Sequence, residues 1–157
     1  MKVLGIDPGT RFVGYGIVQA ESNSYLPEAY GVIDVHREKD FSVKLLRIRE
    51  EIRRVVREFQ PEAGAIESAF VRRNIQSALR IGEGRGCAIL AMAIEKLPVS
   101  QYAPALVKKA VTGRGQASKH QVQNMVKTLL SIQDNDLSED ASDALAVAIC
   151  HCHRLRF

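Results

Sequence analysis

Apolar positions change their spacing several times along this chain, and each change marks an element. Residues 2–7, 13–20 and 28–35 are short apolar-rich stretches separated by turn-rich segments. They predict three strands joined as an antiparallel meander. Then the period lengthens. Phe41, Leu45, Ile48, Ile52, Val55 and Phe59 recur at three- and four-residue steps with Arg and Glu between them. That spacing predicts an amphipathic helix, ended at Gln60-Pro61 because the residue before proline disfavours helical backbone. Residues 63–67 read as a short buried strand that ends on a carboxylate. A helix over about 75–96, a strand over 98–102 and a helix over about 104–112 follow, with Pro104 suited to a first helical turn. Beyond the basic loop Gly113-Arg114-Gly115, helices are predicted over 118–130 and 139–154. Three strands, helix, strand, helix, strand and closing helices give an α/β fold with a mixed five-stranded sheet flanked by helices.

Two local patterns qualify this outline. Ala78, Gly82 and Gly86 fall four apart on one face of the second long helix. Glycine in a helix costs roughly 1 kcal/mol against alanine, so the expectation is that another backbone packs closely on that face. Near the C-terminus, "CHCH" (Cys150 to His153) suggests zinc at first sight. Successive helical residues point about 100° apart and cannot all bind one ion, and Cys152 continues the apolar series Leu145, Ala148, Ile149. Core packing is the expectation for Cys152.

Size and charge narrow the class. The chain has 157 residues, 46% apolar and 25% charged, which suits one folded domain over residues 1–157. No apolar run approaches the roughly 20 residues that a membrane span needs. The N-terminus reads as a strand without a cleavage pattern, and three cysteines form no disulfide framework, so a reducing, cytoplasmic setting is expected. The net charge of +4 is unevenly spread: between Ser68 and Lys127 ten Lys/Arg face only Glu83 and Glu95. This stretch reads either as a face for a polyanion or as solvated helix surface.

Candidate chemistry lies in the acids. Asp7 ends the first strand inside "GIDPGT", and Glu67 ends the fourth. If these strands are parallel neighbours, both carboxylates emerge at one end of the sheet, where α/β folds place their sites. Asp140 and Asp143 share a face in the first turns of the last helix. Each feature has a plain explanation: a turn-forming aspartate, a strand-end glutamate, acids that complement a helix dipole behind an N-cap at Ser138. Together they would repel one another unless cations neutralise them, and such oxygen-rich sites favour Mg²⁺ or Mn²⁺. Two such ions can activate water and stabilise the leaving oxygen of a phosphodiester. "GIDPGT" also resembles the first phosphate loop of the actin, sugar-kinase and Hsp70 superfamily, but a second such hairpin and room for a second lobe are missing. Phe70, in a polar loop beside Arg72 and Arg73, either folds back on the sheet or stacks on an unpaired base, which is worth about 1–3 kcal/mol. Lys108 and Lys119 flank the Gly113–Gly115 loop and are either surface lysines or catalytic cations that hold backbone phosphate or neutralise charge developing in the transition state.

Four stretches, "GIDPGTRFVGYG", "AIESAFVRRNIQSALRIGEGRG", "YAPALVKKAVTGRGQASKHQV" and "DASDALAVAICHCH", stand in one order along nearly the whole chain. In them the chain resembles the RuvC family of bacterial Holliday junction resolvases. The resemblance implies a ribonuclease H-like fold, a homodimer, and magnesium-dependent symmetric nicking of four-way DNA junctions in recombination and repair. It implies a catalytic, metal-binding tetrad at Asp7, Glu67, Asp140 and Asp143, with two Mg²⁺ per site and Mn²⁺ as a substitute. Phe70 matches the family's junction-contacting aromatic, and Lys108 and Lys119 match its basic positions. Arg72, Arg73 and Arg114 are further candidate DNA contacts. Departures stand at Ser68, where many members carry glutamine or glutamate, and at Val71, where some carry a second aromatic. Membership also implies nicks with 5′-phosphate and 3′-hydroxyl ends, a branch-migration complex of RuvA with RuvB as partner, and action at the nucleoid.

Overall fold

A computed structural model describes residues 1–22, 24–68, 74–133 and 137–155. Its strands are β1 (Lys2–Asp7), β2 (Phe12–Ala20), β3 (Tyr25–Asp34), β4 (Ala63–Glu67) and β5 (Val99–Tyr102). Its helices are α1 (Phe41–Phe59), α2 (Ile75–Ile94), α3 (Pro104–Thr112), α4 (Lys119–Leu130) and α5 (Glu139–Leu155). The strands form one sheet in the order β3-β2-β1-β4-β5. β1, β2 and β3 pair antiparallel as the expected meander, whereas β1, β4 and β5 run parallel. Among the described residues no helix is long and apolar enough to cross a membrane.

The helices start and stop where local chemistry dictates. Asp40 caps α1 by accepting from the backbone N–H groups of Ser42 and Val43, and Gln60 ends it in the left-handed region just before Pro61. Ser118 and Gln121 close a capping box on α4. At α5, the Ser138 hydroxyl oxygen accepts from the Ala141 N–H at 3.2 Å. This cap fixes where the helix begins, and therefore where Asp140 and Asp143 stand.

Two apolar cores sit on opposite faces of the sheet. On one face, α1 and α2 bury Ile48, Ile52, Val55, Ala88 and Met92 against Leu4, Ile6, Ile17 and Ile66. Arg53 and Arg57 of α1 both pair with Glu95 at the end of α2, at 2.6 and 2.9 Å. On the other face, α5 lies directly on the sheet and is itself covered by α3 and α4, through Val107, Val111, Val122 and Val126. Cys150, His151 and Cys152 are buried there, so Cys152 is a core residue as expected.

Close approach of α5 depends on glycines in the strands. A Cβ at Gly5 would stand 2.0 Å from the Ala144 carbonyl oxygen, and one at Gly14 would stand 1.9 Å from that of Asp140. No side chain fits at either position. Among the described residues nothing packs on the Gly82 and Gly86 face of α2, so no element of this chain supplies the close contact expected there. A Cβ at Gly82 or Gly86 would meet nothing within 4 Å, and both residues are exposed. The buried glycine of α2 is Gly84, on the opposite side and facing the Gly9 carbonyl.

Candidate active site

Sheet topology gathers the acids. β1 and β4 are parallel neighbours with Ile6 paired to Ile66, so Asp7 and Glu67 leave the sheet side by side. Asp7 pairs across to Gly14 on β2. Because Gly14 lets the Asp140 carbonyl touch its Cα, the first turn of α5 is seated over the end of β1. Asp143 lies one turn further along. It lines, with Asp7, Pro8, Glu67, Ser68 and Lys119, a cleft of about 280 Å³. Asp7, Glu67 and Asp143 therefore line one cleft, and Asp140, which does not line it, lies close enough to raise the Asp7 and Asp143 carboxyls.

Their electrostatics show crowded, half-desolvated negative charge. Burial pushes the Asp7 carboxyl up to about 8, aided by Asp143, Glu67 and Asp140, with Lys119 pulling the other way. Glu67 is raised by burial and then by Asp143, against the pull of Lys108 and Lys119. Asp143 and Asp140 are also raised, by burial first and then by neighbouring acids. Among the described residues no three His, Cys, Asp or Glu side chains are drawn tightly enough to chelate one ion as they stand. The donor set is nonetheless all carboxylate, with no sulfur or imidazole, as hard divalent cations require. The raised carboxyls mark charge that the protein alone leaves uncompensated, and an added cation fits that deficit.

Lysines border the acids on one side. The Lys119 ammonium lies 2.5 Å from Glu139 Oε1 and 3.7 Å from Asp143 Oδ2, and its own proton affinity is raised by Glu139. Lys108 shares a neighbouring pocket with Glu67, Lys119 and Asp143. Arg114, by contrast, borders a separate groove with Thr112, Gln121 and Asn124, away from the acids. Phe70, Val71, Arg72 and Arg73 lie outside the described residues.

Two residues escaped the sequence reading. Glu139 is a fifth carboxylate beside the tetrad, and its pairing with Lys119 holds that ammonium beside Asp143. Adjacency to Asp140 was its only sequence signal. Arg85 turns inward from α2 and donates from Nε to the Glu67 carbonyl oxygen at 3.1 Å, with a second bond to Gln101. It braces the ends of β4 and β5, although in sequence it counts only as one more cation.

Comparison with known proteins identifies the family and the fold. A family model described as crossover junction endodeoxyribonuclease RuvC matches residues 3–151. A protein of that name from Geotalea uraniireducens is 46% identical over 153 residues, covering 98% of this chain and 89% of its own length. One from Geobacter metallireducens is 47% identical, covering 98% and 93%. Among solved structures, Thermus thermophilus RuvC in complex with Holliday junction substrate superposes with a TM-score of 0.92 at 30% identity, over 99% of this chain and 95% of that one. The yeast mitochondrial Holliday junction resolvase Ydc2, at 18% identity and a TM-score of 0.68 over 96% of this chain and 77% of that one, shares the fold. The expected ribonuclease H-like α/β fold is the observed one.

Proposed function

This chain belongs to the RuvC family of crossover junction endodeoxyribonucleases, and we propose from its site that it resolves four-way DNA junctions by paired symmetric nicks. The observation that carries the proposal is the convergence of Asp7, Glu67 and Asp143 on one cleft with Asp140 close beside it, their carboxyls raised by burial first and by neighbouring acids second. In this reading Asp7, Glu67, Asp140 and Asp143 would hold two Mg²⁺, or Mn²⁺ in their place. Ions held there would supply Lewis-acid activation of a water and stabilisation of the departing 3′ oxygen, chemistry that would leave 5′-phosphate and 3′-hydroxyl ends.

The chain's own residues do the rest. Seating Asp7 and Glu67 on adjacent parallel strands fixes their separation, because strand ends within a sheet move little. Lys108 and Lys119 neutralise the approaching phosphate, and the Glu139 carboxylate keeps Lys119 at the rim of the cleft. Phe70 contacts unpaired bases at the junction centre, with Arg72, Arg73 and Arg114 as phosphate contacts.

One chain carries one such cleft, so paired nicks require two copies. α2 offers the surface for a homodimer. Ile75, Leu79 and Leu90 are 76%, 62% and 56% exposed, in line with the open Gly82 and Gly86. An apolar stripe of this kind on a helix is uncommon unless a partner covers it. The RuvA–RuvB branch-migration complex is the further partner, and the site of action is cytoplasmic DNA at the nucleoid.

Nicking of a labelled four-way junction by Asp7→Asn tests the assignment of the site. Junction binding should persist while Mg²⁺-dependent nicking is lost. Full cleavage by the variant would remove Asp7 from the reaction.

A further inference from the structure

A second basic surface lies on the opposite flank of the acids from Lys108 and Lys119. It is an open groove of about 760 Å³ between the β1–β2 turn, the start of α1 and the first turns of α2. Arg11, Lys39, Lys44 and Arg80 line it, and Glu83 is the one acid in its wall. That acid is engaged with Arg80 at 3.4 Å. Arg11, Lys39 and Lys44 form no ion pair among the described residues, so their charge is presented to whatever enters. The guanidinium of Arg80 stacks over the Phe41 ring, 4.1 Å from its centroid, which keeps a flat cationic surface facing the groove.

The groove and the acidic cleft adjoin at one residue. Ile81 lines both, with Thr10 and Arg11 just beyond the Asp7-Pro8-Gly9 turn. A strand whose phosphate sits at Asp7 and Glu67 must leave the cleft in two directions. One exit passes Lys108 and Lys119, and the other passes this groove. The cations come from residues 11, 39, 44 and 80, which are far apart in sequence and converge only in the fold. On α2, Gln76, Arg80 and Glu83 stand on the flank between the buried side and the exposed apolar stripe, and Leu79 of that stripe forms the groove's outer edge.

We infer that this groove holds the sugar–phosphate backbone of the junction on the side of the scissile phosphate away from Lys108 and Lys119. The inference rests on the resolvase reading and adds a binding surface to it. It also names Arg11, Lys39 and Lys44 as the residues that hold the backbone there, through charge without base readout.

The test is junction affinity over a salt series, measured in chelator, for the wild type and for the combined variant Arg11→Gln, Lys39→Gln, Lys44→Gln. Lys96→Gln, at the far end of α2, controls for loss of surface charge. For the wild type, log K should fall linearly with log salt. For the groove variant the slope should be shallower by about 0.9 for each phosphate that is no longer neutralised, with affinity weakened about ten-fold or more at low salt. Lys96→Gln should match the wild type. A groove variant with wild-type affinity and slope would overturn the inference and leave the resolvase reading standing. So would a change in its monomer–dimer equilibrium by light scattering, which would assign the groove to self-association. A wild type that fails to bind the junction at all would overturn the resolvase reading, and the inference with it.

Discussion

Replacing Asp7 by asparagine should make the metal-free protein more stable at neutral pH while it abolishes nicking. The Asp7 carboxyl is raised from 3.8 to about 8 in the fold, first by burial and then by Asp143, Glu67 and Asp140. Below pH 3.8 both folded and unfolded chains hold the proton, and no penalty exists. Between 3.8 and about 8 the unfolded chain ionises while the folded one resists, so the penalty grows by about 1.4 kcal/mol per pH unit. Above about 8 it is constant. At pH 7 the burden is roughly 4 kcal/mol, which the uncharged amide does not carry. The amide brings N–H donors that the cleft does not serve, an offset of about 1–3 kcal/mol. A net gain of about 1–3 kcal/mol remains, or several degrees in unfolding temperature for a chain of this size. Thermal unfolding of both proteins in chelator from pH 4 to 9 measures it. The advantage of the variant should be absent near pH 4 and widen as pH rises. Mg²⁺ should raise the midpoint of the wild type more than that of the variant, since ligand binding to the native state adds stability. A variant less stable at every pH, or a gain that does not change with pH, would refute the electrostatic reasoning.

Other perturbations reach different parts of the account. Lys119→Gln removes the cation that lowers Asp7, Glu67 and Asp143. Single-turnover nicking should slow, and the rising limb of its pH profile should move to higher pH; an unmoved limb would uncouple Lys119 from the acids. Gly14→Ala places a Cβ 1.9 Å from the Asp140 carbonyl oxygen and should cost about 3 kcal/mol or more by denaturant unfolding, displacing the first turn of α5. Leu79→Glu puts a charge in the exposed stripe of α2 and should shift sedimentation to the monomer; an intact dimer would exclude that face. Tyr102→Phe removes the 2.7 Å bond to His151 Nδ1. His151 Nε2 already has no partner among the described residues, so a loss of about 1–3 kcal/mol in thermal stability is expected.

Spacing alone made much of this molecule legible. The step pattern of Phe41 to Phe59 and the short runs ending at Asp7 and Glu67 gave elements whose ends shift by only a few residues in the structure. The acids were readable because each sits at an element end, where topology rather than side-chain detail decides its place. Glycine spacing did not say whose backbone it admits. The four-residue interval in α2 meets none within the described residues and leaves a face open for a second copy, whereas Gly5 and Gly14 admit α5, more than a hundred residues away in sequence. Charge was equally non-local. Counting over Ser68 to Lys127 found Lys108 and Lys119 but passed over Arg11, Lys39 and Lys44, which lie in the part of the chain with excess acid. Arg85 shows the converse: it belongs to the basic count but spends its donors bracing the Glu67 strand end.

Cleavage of two labelled substrates, a four-way junction and a matched linear duplex, with and without Mg²⁺, tests the central claim most directly. Paired nicks placed symmetrically on the junction, in Mg²⁺ only and with the duplex intact, are the predicted result. Cutting of both substrates alike, or no cutting of the junction in any divalent metal, would contradict the assignment of these four carboxylates to junction resolution.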